Sequence, residues 1–215
     1  MKLKYVYYYD KVQNSSLDRR YPGLSDEERL AKICEVEEWD VKDILTPEEI
    51  HKIEDLSGEY NKFARVIERG NGQKSILRIY DDNMRHPSET EITAAFKRMV
   101  IKSPMVAFLE GHGERSINGA GDRDYYAFSR YKAFRNSLVN QGFDNMTLCL
   151  DSLDRIPENV DILVISDVRT PLSEKEQVII ENYIAQGRNL LIAGEPRRQE
   201  QMNAIIAPLG LAFLP

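Results

Sequence analysis

The sequence predicts an α/β protein whose C-terminal half builds a doubly wound parallel sheet, preceded by a smaller α/β lobe. Two observations carry this reading. Short strand-like runs, Met105 to Leu109, Asn145 to Leu150, Ile162 to Ser166 and Asn189 to Ala193, alternate with helical patterns. Such alternation calls for a parallel sheet covered by helices. Four Ser/Thr-x-x-Glu boxes also punctuate the chain, at Ser25/Glu28, Thr46/Glu49, Ser88/Glu91 and Ser173/Glu176. In each, the hydroxyl accepts from an orphan backbone N–H while the glutamate reaches back to the cap, which fixes where a helix begins.

The first lobe is expected over residues 1–101. It opens with a tyrosine-rich strand, Leu3 to Tyr9, followed by a polar loop from Asp10 to Leu24. Tyr5, Tyr7 and Tyr9 would share one face of that strand, an arrangement that suits structure and partner surface alike. A helix over Asp26 to Val36 and a short one over Pro47 to Leu56 come next, the latter with proline at its first position. Phe63 to Glu68 and Ser75 to Tyr80 alternate around Arg69-Gly70-Asn71-Gly72-Gln73, which reads as a hairpin. A helix over Glu89 to Ile101 closes the lobe, with Ile92, Ala95, Phe96 and Met99 on its apolar face.

The second domain is expected over residues 102–215. Its first strand, Met105 to Leu109, is apolar throughout, as a strand buried on both faces should be. A Gly-rich loop then leads to a helix over Asp124 to Asn140, with Ala127, Tyr131, Phe134 and Leu138 as its stripe and Gly142 just beyond its end. Helix Glu174 to Gln186 turns Ile179, Ile180, Tyr183 and Ile184 inward and stops at Gly187. Strand Asn189 to Ala193, helix Arg198 to Ala207 and a strand starting at Leu211 complete the pattern. The apolar end, Leu211 to Pro215, reads as an interrupted strand, and Met1 leads straight into strand-like sequence with no signal peptide. Membrane segments are therefore expected to lie outside these 215 residues.

Composition narrows the function. With 42% hydrophobic and 30% charged residues the chain is that of an ordinary folded protein. The net charge of −6 and pI near 5.3 argue against nucleic acid as a partner. No stretch approaches the ~18–20 apolar residues that span a bilayer. Cys34 and Cys149 fall in helix and strand contexts and are expected to be buried thiols. No Cys/His spacing suggests a metal centre, and no cofactor is expected.

Beyond these features, several segments are familiar together. Pro104 to Ser116, containing Gly111-His112-Gly113-Glu114 after a strand, is followed by Ile156-Pro-Glu-Asn-Val-Asp161 and Pro171-Leu-Ser-Glu-Lys-Glu176. Ile180-Glu-Asn-Tyr-Ile-Ala-Gln-Gly187 and Leu190-Leu-Ile-Ala-Gly-Glu-Pro196 continue the series. In order and spacing this half of the chain resembles the uncharacterised ABC-type transport-system auxiliary family, which includes the gliding-motility-associated ABC transporter component. The resemblance departs at Gly187-Arg188, where the family tends to pair glycines, and at Glu195-Pro196, where it tends to have Asp-Pro. It implies a soluble periplasmic region anchored by flanking membrane segments. Its partners would be the membrane and ATPase subunits of a transporter, with an extracytoplasmic ligand or polymer beside them. It transfers no catalytic residue.

In an open α/β sheet, ligands bind beyond the carboxyl ends of the strands. Those ends read Glu110, Asp151, Asp167 and Glu195, with His112 and Glu114 just past the first. Six such groups on one edge could hold a cation or a cationic ligand. The plainer reading is that they cap helices and complement their dipoles, with Arg115, Arg169, Arg197 and Arg198 as neutralising neighbours. Asn118-Gly-Ala-Gly-Asp122 lacks the Gly-Lys-Ser/Thr of a phosphate loop, so any ATPase belongs elsewhere. The sheet pattern is similar to flavodoxin-like and class I glutamine amidotransferase-like folds, and the first lobe could follow a thioredoxin-like plan. Cys149 sits inside a strand, however, and Ser166 and Ser173 have no histidine at a suggestive spacing. A non-catalytic binding domain is expected, with a hydrolase or carbohydrate-modifying enzyme built on the acidic edge as the alternative.

Overall fold

The structure, a computed structural model, describes residues 2–12, 16–80, 82–84, 86–197 and 199–214. The chain forms two compact units, Met1–Ala64 and Arg65–Pro215. Among the described residues no helix is long and apolar enough to cross a membrane.

In the first unit, β1 (Tyr7–Tyr8) pairs in parallel with β2 (Ile44–Leu45). The strand expected over Leu3 to Tyr9 shrinks to two residues because its partner is equally short. Thr46 caps α3 (Pro47–Ile53) immediately after β2 and turns the chain away. Tyr5 and Tyr7 consequently stand 73% and 56% exposed, and Tyr7 meets Trp39 at 5.9 Å. The expected loop contains a short helix, α1 (Ser16–Arg20). Helix α2 (Asp26–Glu37) carries the Ser25/Glu28 box and buries Cys34. All four boxes read from the sequence are formed in both directions.

The hairpin and the helix that follows it lie in the second unit. Strands β3 (Arg65–Glu68) and β4 (Lys74–Leu77) pair antiparallel, with Gly72 at φ 85° in the turn, where only glycine is unstrained. Helix α4 (Glu89–Arg98) buries Glu91, Ala94 and Ala95, and Met99 at its C-cap, while Phe96 is 50% exposed. The expected stripe thus rotates: a charged residue, Glu91, takes an inward position because Arg135 meets it there at 2.6 Å.

The central sheet runs β6 (Asp144–Leu148), β5 (Met105–Leu109), β7 (Ile162–Ser166), β8 (Asn189–Ala193), and every pairing is parallel. One face packs Ala107, Leu109, Leu163 and Ile165 against Ile179, Ile180 and Tyr183 of α6 (Glu174–Ala185) and Met202 and Ile205 of α7 (Gln199–Ile206). The other face packs Val106, Phe108 and Val164 against Ile117, Tyr125, Leu138 and Phe143. Arg188, directly after Gly187, donates to the carbonyls of Pro157 and Val160 and stacks 4.5 Å over Tyr183. It clamps the loop that feeds β7.

Three expectations fail here. The helix over Asp124 to Asn140 is reduced to α5 (Tyr126–Ser129) and a 3-10 turn at Leu138–Asn140. Side chains take the carbonyls a helix would use: Asn145 donates to Ser129, Asn140 to Lys132 and Phe134, and Gln141 to Arg135. No strand forms from Leu211 through residue 214, because Asn203 accepts the Phe213 N–H at 2.7 Å and fixes that segment locally. Cys149 is exposed, since β6 ends one residue before it. Arg198, the expected start of α7, lies outside the described residues.

Candidate functional site

Parallel pairing brings the carboxyl ends of all four strands to one edge. Sequence-adjacent β5 and β6 lie on one side and β7 and β8 on the other, so the chain switches direction between β5 and β7. Beyond β5 the chain continues to Ile117 and Tyr125 on one face, and beyond β7 to α6 on the other, and open α/β sheets bind ligands at such a switch point.

Two glycines let the loops meet. Leu109 is followed by Glu110, Gly111 at φ 132°, His112 and Gly113 at φ 77°. A Cβ on Gly113 would stand a tight 3.2 Å from the Arg169 side chain, and at φ 77° any other residue would be strained. The His112 carbonyl then accepts from the N–H groups of Arg169 and Thr170, at 2.9 and 3.2 Å. The loop after β5 is thereby fastened to the loop after β7.

The side chains separate into two groups. In the first, His112 Nε2 lies 2.8 Å from Glu176 Oε1, and Nδ1 lies 3.3 Å from Thr170 Oγ1. Glu176 is also the capping glutamate of α6, its Oε2 accepting from the Ser173 N–H and hydroxyl at 2.8 and 2.7 Å. Burial opposes its charge, but hydrogen bonds from Ser173 and His112 overrule burial and lower its pKa to about 2. Asp151, exposed after β6, can bring a carboxylate oxygen within 4.8 Å of His112 and Glu176.

The second group is an ion-pair network. Asp167 is 1% exposed and sits at φ 55°, a left-handed conformation that costs a non-glycine residue about 1–3 kcal/mol. The fold holds it there by an N–H bond to Ala193 O at 2.8 Å. One Arg123 nitrogen lies 2.6 Å from both Asp167 Oδ2 and Glu195 Oε2. Arg115 also pairs with Glu195, and Arg169 reaches within 3.9 Å of Asp167. Arg115 lies 5.6 Å over the Tyr125 ring.

The six residues read from the sequence therefore share an edge without forming one constellation. His112 and Asp151 join the first group, and Asp167 and Glu195 join the second. Glu110 accepts from the Ser116 hydroxyl at 3.3 Å, and Glu114 accepts from the His112 N–H at 2.6 Å, so both serve the β5 loop itself. Among the expected neutralising arginines, Arg115 and Arg169 take part, and Arg197 is exposed in a turn at φ 70°. Glu176, Thr170 and Arg123 were not read as site residues. The signal for Glu176 was its own box, whose glutamate has a second oxygen to spare. Nothing local marks Arg123, whose partners lie 44 and 72 residues away.

Comparison with known proteins places this edge in context. Residues 103–208 match the family described as an ABC-type uncharacterized transport system, a span that takes in the whole parallel sheet. No curated protein and no solved structure matches the chain.

Proposed function

We propose, on the premise that residues 103–208 belong to the auxiliary family of ABC-type transport systems, that this chain is a non-catalytic domain of such a system. It stands on the periplasmic side of the inner membrane, in one complex with the membrane and ATPase subunits, and takes a partner protein, polymer or small ligand at its sheet edge. The strand order supports a flavodoxin-like plan for that sheet.

The observation that carries the binding role is the Asp167–Arg123–Glu195 network. A general base needs a free acceptor aimed at substrate, whereas these carboxylates are already held by guanidinium groups. Charges that neutralise one another and are fixed in place suit recognition, because a polar partner can exchange pairs without leaving a charge bare.

Cys149 supplies the test of location, since it is exposed and Cys34 is buried. In cells with an intact cytoplasmic membrane, a membrane-impermeant maleimide is expected to label the chain, and Cys149→Ser should abolish labelling. Labelling that requires lysis would put the domain in the cytoplasm and overturn the reading. Tagged chain from detergent-solubilised membranes should retain the transporter's membrane and ATPase subunits, and a tag that brings down neither counts against the assignment.

One observation favours a second reading, a hydrolase. The exposed Thr170 hydroxyl, His112 and buried Glu176 stand in the order nucleophile, base, carboxylate. This reading expects an ester or glycoside turnover that Thr170→Val removes. Turnover unchanged in that variant, or absent from the wild type, eliminates it.

A further inference from the structure

We propose that His112, Asp151 and Glu176 form a binding site for one divalent cation of the zinc class. The inference goes beyond the transport role and does not depend on it. The three ligands come from three segments, the loop after β5, the turn after β6 and the first turn of α6, so only the folded sheet edge assembles them. One ligand atom from each lies within 4.8 Å of the other two. Around a tetrahedral zinc with bonds of about 2.0–2.1 Å, ligand atoms stand roughly 3.3 Å apart. His112 and Glu176, at 2.8 Å, need only part slightly, and Asp151 is exposed and has room to close in.

The groups behind the ligands favour the same outcome. Ser173 holds Glu176 Oε2 through its N–H and hydroxyl, which leaves Oε1 directed at the imidazole. Thr170 Oγ1 at Nδ1 can accept the remaining ring proton, which frees the Nε2 lone pair for the metal. A further carboxylate oxygen, Glu114 Oε1, is shielded from water and has no hydrogen-bond partner among the described residues. It belongs to the same loop, where the other carboxylate oxygen takes the His112 N–H. One imidazole with two carboxylates selects zinc or a similar borderline ion over magnesium and calcium, which prefer oxygen throughout.

The experiment is a calorimetric titration of zinc chloride into EDTA-treated chain. Wild type should take up one equivalent, accompanied by a rise in melting temperature, with millimolar magnesium failing to compete. Asp151→Asn, at an exposed position, should keep the fold and weaken binding by at least about tenfold. His112→Gln should do the same, and Cys149→Ser should bind as wild type does. Wild-type-like binding by Asp151→Asn, loss of binding in Cys149→Ser, or no saturation at one equivalent would overturn the proposal.

Discussion

Arg135→Ala is expected to destabilise the unit Arg65–Pro215 by about 3–5 kcal/mol, the cost of stripping a buried charge of its partner. Arg135 is 11% exposed and Glu91 only 2%. One guanidinium nitrogen donates to both Glu91 oxygens at 2.6 and 2.7 Å. The other two fork onto Asp82 at 2.7 and 2.9 Å, and one of these also reaches the Met84 carbonyl at 2.6 Å. The plane lies 4.6 Å over the Tyr80 ring. Hydrogen bonding to Asp82, then to Glu91, holds the guanidinium above its ordinary pKa despite burial.

Alanine would leave Glu91 charged and enclosed. Glu91→Gln removes that charge while keeping the acceptor that caps α4. The double variant Arg135→Ala, Glu91→Gln should therefore recover more than about 1 kcal/mol relative to additivity. Arg135→Lys should recover little, because a point charge cannot grip both carboxylates. Urea unfolding followed by circular dichroism reads the loss, since the single tryptophan, Trp39, belongs to the other unit. A loss below about 1 kcal/mol would mean that Glu91 regains water, so that burial and pairing are not coupled as described.

What the sequence discloses follows the range of the interactions involved. The boxes at Ser25, Thr46, Ser88 and Ser173 are legible because both partners lie within three residues and form whatever the tertiary context. Strands β5, β7 and β8 occupy the residues expected of them: β5 and β7 are apolar runs buried on both faces, and edge strand β8 alternates half-buried with exposed positions, a pattern that a one-residue slip would invert. Residues 124 to 140 have a good helical stripe, yet their carbonyls are claimed by Asn140, Gln141 and Asn145. Periodicity carries no information about such competition. The inward turn of Glu91 is hidden for the same reason, because its justification is an arginine 44 residues away.

The site divides along the same line. Convergence of the acids follows from parallel strands and is readable. Which acid pairs with which cation depends on how two loops cross, and this is not. Gly111 and Gly113 set that crossing through backbone geometry, and their spacing alone does not say that Arg169 fills the space above Gly113.

Glu176→Gln, in metal-free buffer, should lose stability at neutral pH and regain parity with wild type in acid. The carboxyl is shifted from an ordinary 4.5 to about 2 in the folded chain, so folding favours its charged form. A depressed carboxyl contributes stability that is complete above its unfolded pKa and disappears as the pH falls through the folded value. Stabilisation is therefore expected in full above about pH 5, eroding between about 4.5 and 2. Its size, taken from the shift, is about 3 kcal/mol. Glutamine retains an acceptor for the Ser173 N–H but loses the charge that opposes His112, so its curve should be flatter over this window. His112→Gln should narrow the gap by removing one of the two partners that hold the pKa down while leaving the Ser173 cap intact. Urea midpoints of wild type and Glu176→Gln, measured from pH 7 to pH 2, should converge on the acid side. A constant separation over the whole range would mean that Glu176 is not held as a carboxylate, and His112 would then be fixed by packing instead of charge.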